Sequence, residues 1–147
     1  MYKLTVFFLL ACGLASAQKD SCAFFGNKPV FPYYHPSLAS GNDFYTTKKE
    51  FRKIITAKTD FDGIITVIFF INYKGEAGYY RVQVCDAAYA PLEVGGNNSL
   101  LCGQALQAVK QSGPWKPAFY TETGIVNSRK FYSFRFKHGT LVEILPK

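Results

Sequence analysis

The period of hydrophobic and polar positions changes several times along the chain. In "GIITVIFFI", residues 63–71, Ile65, Val67, Phe69 and Ile71 share one parity, and Ile64, Thr66, Ile68 and Phe70 the other. A strand apolar on both faces belongs in the middle of a sheet with cover on each side. "NYKGEAG" then supplies a hairpin loop. "YYRVQVC", residues 79–85, returns with Tyr80, Val82 and Val84 alternating with Arg81 and Gln83, which fits a half-buried strand. Helical period appears twice. Over 42–59, Phe51, Ile54 and Ile55 fall at i, i+3 and i+4, and Thr47 followed by Glu50 has capping-box spacing. Over 99–113, Leu101, Ala105 and Val109 form a stripe beside Cys102 and Leu106, with Ser99 to cap the helix and Gly113 to end it.

After that helix, "PWKPAFYTETG" crosses to "IVNSRKFYSFRF", a long strand, and "KHG" turns into a short last strand, "TLVEIL". Residues 18–41 read as an extended arm or an irregular lead-in, because their prolines forbid a long helix. The expected fold is therefore α+β: two helices packed on one face of a small antiparallel sheet, a two-layer sandwich over residues 42–147. Helices on one face leave Ile64, Ile68 and Phe70 on the other. We expect the arm, with Phe24, Phe25, Phe31, Tyr33 and Tyr34, or a second chain, to cover them.

Composition adds a compartment. Residues 1–17 read as a cleavable export signal: Lys3, an apolar run from Leu4 to Leu14, and Ala15-Ser16-Ala17 as the cleavage site. The run is too short for a permanent membrane anchor. Export points to a periplasmic or secreted protein. Cys22, Cys85 and Cys102 remain after cleavage. Cys85 and Cys102 can pair as a disulfide worth roughly 3 kcal/mol, or all three can stay as thiols. The net charge of +7 favours an acidic partner or an anionic membrane face. No run of Lys and Arg suggests nucleic acid.

Candidate chemistry is sparse. His35 and His138 stand alone, and no metal-ligand spacing, phosphate-binding loop or nucleophile elbow occurs. Asp60 and Asp62 read as turn formers. Cys102, near a helix start, is the one candidate nucleophile, and packing or a disulfide accounts for it better. No enzyme, metal or cofactor is expected.

The motifs acquire order when set together. Gly63-x-Ile65-x-Val67-x-Phe69-x-Ile71, closed by Gly75, resembles the signature strand and turn of the TonB C-terminal domain family. The helix with Ala105 and Val109 followed by Trp115-x-Pro117 is similar to that family's helix and W-x-P crossing, and Gly124 to Ile144 is similar to its closing strands. The resemblance covers residues 44–146. It implies a periplasmic, non-enzymatic module that binds an extended peptide of an outer-membrane receptor, or of another envelope protein, at a sheet edge. It places that edge at Asn127, Ser128, Arg129, Lys130, Phe131 and Tyr132, and makes Gly63, Gly75, Trp115 and Pro117 structural markers. The chain departs from the family in having no permanent anchor and no Pro-rich spacer, and in a longer segment between Gly124 and Phe136. Two other readings stay open: a secreted structural module that self-associates, with a homodimer as one form, and a small secreted inhibitor.

Overall fold

The structure is a computed structural model that describes residues 21–32 and 44–146. Residues 1–17, where an export signal is expected, and Tyr33, Tyr34 and His35 of the arm lie outside the described residues. The elements run α1 Ser21–Phe25, β1 Val30–Pro32, α2 Phe44–Ile54, β2 Gly63–Ile71, β3 Ala77–Asp86, β4 Pro91–Leu92, α3 Ser99–Lys110, β5 Ala118–Tyr120, β6 Gly124–Lys137 and β7 Thr140–Leu145. A single 3₁₀ turn, Gly96–Asn98, precedes α3.

The two-layer sandwich on a small antiparallel sheet is not what forms. Seven strands make one curled, mixed sheet, a half-barrel in the order β1-β6-β2-β3-β4, with β5 and β7 also paired to β6. Three features of the chain enlarge it. The described part of the arm contributes a strand: β1 joins β6 in parallel, Val30 opposite Asn127 and Pro32 opposite Arg129. The crossing segment contributes β5, with Phe119 opposite Ile125. The loop after β3 returns as β4. β6 is long enough to hold β5, β1 and β7 in succession along its outer edge while β2 pairs with its inner edge from Ser128 to Phe136.

The strand patterns hold at residue level. β2 is central, between β6 and β3, and buries Ile65, Val67, Phe69 and Ile71 completely. Its other face is only half-buried. The core face receives α2 and α3 through Phe51, Ile55, Leu101, Ala105 and Val109, with Tyr132, Phe134 and Phe136 from β6. Burying such side chains contributes about 1.5–3 kcal/mol each. α2 begins before the expected capping box, so Thr47 is buried inside the helix and Glu50 pairs with Lys53 at 2.7 Å. It also ends earlier. The backbone N–H groups of Thr56 and Ala57, just beyond its last turn, donate to Gln104 Oε1 of α3 at 3.0 and 2.9 Å.

Candidate functional site

The edge expected to take a partner is occupied on its outer side over Asn127–Arg129. Ser128 to Tyr132 pair with β2 on the inner side, and Asn127 to Arg129 pair with β1 on the outer side. Asn127 and Ser128 are buried. Asn127 is a clamp: its Nδ2 donates to the carbonyls of Phe25 and Lys28 at 2.9 and 2.8 Å, and its Oδ1 accepts from Tyr73 N at 2.9 Å. The arm is thereby fastened to β6 and to the β2–β3 loop together. Phe25 packs on Phe70 at 5.3 Å and Phe24 on Tyr79 at 5.0 Å, so α1 covers one end of the second sheet face. A charged edge in sequence reads as open, but the arm that closes it lies about a hundred residues away in the chain.

Among the described residues β7 pairs with β6 alone and so has one open edge, and a longer open edge belongs to β3. Among the described residues β4 covers only Val84 and Cys85, and no strand lies outside Ala77–Gln83. This edge is guarded. Ile68 opposes Arg81 while Phe70 opposes Gly78, so Tyr79 and Tyr80 form a bulge opposite Phe69, with Tyr79 at φ 54°. Bulges and charges at an edge restrict unselective pairing. Past the bulge, Arg81 and Gln83 are exposed. A groove of about 410 Å³ runs beside Gln83, lined by Val82, Val84, Leu92 and Val94 together with Thr66, Gln83 and Glu93. Lys110 of α3 lies over the Tyr80 ring at 5.4 Å. The edge thus presents backbone groups, a groove of mixed apolar and polar lining, and two cations, Arg81 on one face and Lys110 on the other. Sequence reading took this strand as an ordinary hairpin partner. Its Arg81-x-Gln83 polar positions were the available signal, but they do not say which edge a neighbour will cover.

Three of the structural markers, Gly75, Trp115 and Pro117, come together at the hairpin end of this strand, while Gly63 lies at its other end, opposite Asp86. A Cβ on Gly75 would sit 2.6 Å from the carbonyl oxygen of Trp115, and its φ is 84°, so glycine lets the hairpin loop touch the crossing segment. Pro117 lies in the same contact. A Cβ on Gly63 would sit 2.2 Å from the carbonyl oxygen of Cys85. Trp115 is buried against Phe69 at 5.4 Å. Lys130, from β6, is buried with Nζ 4.6 Å from the Trp115 ring centre. Desolvation pushes its pKa down to about 8, although the ring face favours the charged form. Lys130 is therefore a core residue and not part of an exposed binding edge.

The expected Cys85–Cys102 bridge is absent, and both are free thiols. Cys102 belongs to the core with Val84, and Cys85, next to Val84 in β3, points to the other face of the sheet. Burial pushes the Cys102 pKa up to about 11, which makes it a poor nucleophile; its Sγ lies 3.7 Å from Asn98 Oδ1. Asp62 accepts from His138 N at 2.6 Å and faces His138 Nδ1 at 3.2 Å, fixing the β6–β7 turn. Among the described residues no three His, Cys, Asp or Glu side chains are grouped to hold a metal. None of the described helices is long and apolar enough to cross a membrane.

Comparison with known proteins finds no matching family model, no matching characterised sequence and no matching solved structure.

Proposed function

We propose that this protein is an exported binding module that captures an extended segment of an envelope protein, with the outer edge of β3 as the docking strand. The carrying observation is the uncovered edge from Ala77 to Gln83 beside the Val82–Leu92–Val94 groove. An added strand would satisfy the backbone groups of that edge, and its alternate side chains would enter the groove, the usual division of affinity and specificity in strand addition. The exposed guanidinium of Arg81 favours a segment with an acidic residue near its centre. The TonB-like pattern of Gly63 to Gly75 and Trp115-x-Pro117 supports the same class of partner, the N-terminal segment of an outer-membrane receptor, with the docking edge moved from β6 to β3.

Titration of the labelled protein with synthetic N-terminal peptides of outer-membrane receptors tests this. Amides of Ala77–Gln83 should shift and gain exchange protection while those of Asn127–Tyr132 stay unchanged. Saturation with no change along β3 would refute the assignment.

A further inference from the structure

The end of the sheet next to α1 carries an exposed apolar patch that strand capture at β3 does not use. Phe119 and Ile125 are 53% and 45% exposed and directly opposite each other across the β5–β6 hairpin. Directly opposed residues put their side chains on one face, and positions two apart along a strand share that face. Ile125 therefore shares its face with Asn127 and Arg129. Val30, 45% exposed, is opposite Asn127 in β1 and joins them. Arg129 and Val30 line one shallow groove of about 340 Å³ with Phe70, and Arg129 is exposed.

Two further cations border the patch. The carbonyl of Lys28 receives the Asn127 side chain, so exposed Lys28 lies over this same face. Lys74, beside Tyr73, belongs to the loop that Asn127 also holds. The neighbouring acids are turned elsewhere. Desolvation, and after it the Glu122 carboxylate that bonds the Tyr120 hydroxyl, hold the Tyr120 pKa up, and Tyr120 alternates to the other face from Phe119. Glu76 accepts from Asn72 Nδ2 at 2.8 Å.

An aromatic–aliphatic hairpin flanked by Lys28, Lys74 and Arg129 is the chemistry of a surface that dips into a bilayer interface and holds anionic headgroups around it. A hydrophobic protein pocket would take the apolar residues but has no use for the ring of cations. We infer that this face docks the protein on an anionic bilayer surface, with Phe119 and Ile125 inserted and Lys28 and Arg129 at the phosphates. That would hold the β3 edge close to a membrane.

Co-sedimentation of the purified protein with vesicles tests the inference. Vesicles of phosphatidylcholine mixed with phosphatidylglycerol should bind it, and phosphatidylcholine alone should bind it about tenfold more weakly. The pair Phe119→Ser and Ile125→Ser should abolish binding at an unchanged melting temperature. Lys28→Glu with Arg129→Glu should abolish the preference for phosphatidylglycerol. Leu100→Ser, which removes an exposed apolar residue on α3, should bind as wild type. Absence of binding to the mixed vesicles would overturn the inference. So would binding that both double variants retain. A dimer in light scattering that the Phe119 and Ile125 changes dissolve, without vesicle binding, would reassign the face to a second copy of the chain.

Discussion

Lys130 places its ammonium 4.6 Å above the ring of Trp115, inside the core. The two residues come from elements on opposite sides of a turn of sequence, the crossing segment and β6. Trp115 fills the space beside Phe69, and the aliphatic stem of Lys130 covers it from above. A lysine in a polar stretch, "NSRK", thus serves as core packing.

Replacement of Trp115 by alanine should cost about 3–5 kcal/mol, the range for losing a large buried aromatic. Urea denaturation of Trp115→Ala checks this. A loss below about 1 kcal/mol would show that the ring does not close the core.

Lys130 predicts an unusual pH dependence. Its folded pKa of about 8 lies below the ordinary lysine value of 10.5. Between these values the unfolded chain holds the proton and the folded chain does not. Stability should therefore rise as pH increases from about 8 to about 10.5, by at most about 3 kcal/mol for this group. Lys130→Met removes the contribution, so the difference between wild type and variant across that window isolates it from the tyrosines. A constant difference would place the ammonium in a less desolvated setting.

Asn127 should matter more than its size suggests. Alanine at this position leaves the Phe25 and Lys28 carbonyls and the Tyr73 amide without their partner. A loss of about 2–3 kcal/mol is expected. Hydrogen exchange should accelerate over 25–32, at Tyr73 and at Gly78–Tyr79, against which Phe24 and Phe25 pack, and leave the far half of β3, Arg81–Asp86, unaffected.

Two glycines form a matched test of backbone space. Gly96, at φ 53°, has nothing within 4 Å of an added Cβ, so Gly96→Ala should cost only about 1 kcal/mol. Gly139, at φ 67°, would place its Cβ 1.9 Å from the carbonyl oxygen of Thr59, beside its own bond to Phe61 O. Gly139→Ala should cost about 3 kcal/mol or more. Equal melting shifts for the two would contradict the close approach.

The thiols give a chemical readout. Cys85 should react with iodoacetamide in the native, unreduced protein. Cys102, buried and with a raised pKa, should react only after denaturant is added. Protection of both until a reductant is supplied would restore the disulfide.

The sequence by itself determined the local elements wherever one period ran long enough. β2, β3, α3, the long β6 and β7 follow from alternation or from the i, i+3, i+4 stripe, because a strand or helix must turn its apolar positions to a common face. It also marked Gly75 and Trp115 as special, since few other residues fit a left-handed turn or a proline-bounded crossing. Three short strands were not legible. β1 and β4 have too few residues to show a period, and β5 is hidden between prolines and turn residues.

Those three strands decide the architecture; β4 and β5 close local hairpins, and β1 forms only because of a distant partner. β1 exists through its register with Asn127, and Asn127 is satisfied only when the arm and the Tyr73 loop arrive together. The tertiary structure alone therefore decided which edge is closed and which is open. Edge or interior depends on what another part of the chain brings alongside, and no local pattern of hydrophobicity records it. The same holds for Lys130, whose stretch reads as polar until Trp115 and the core are folded around it.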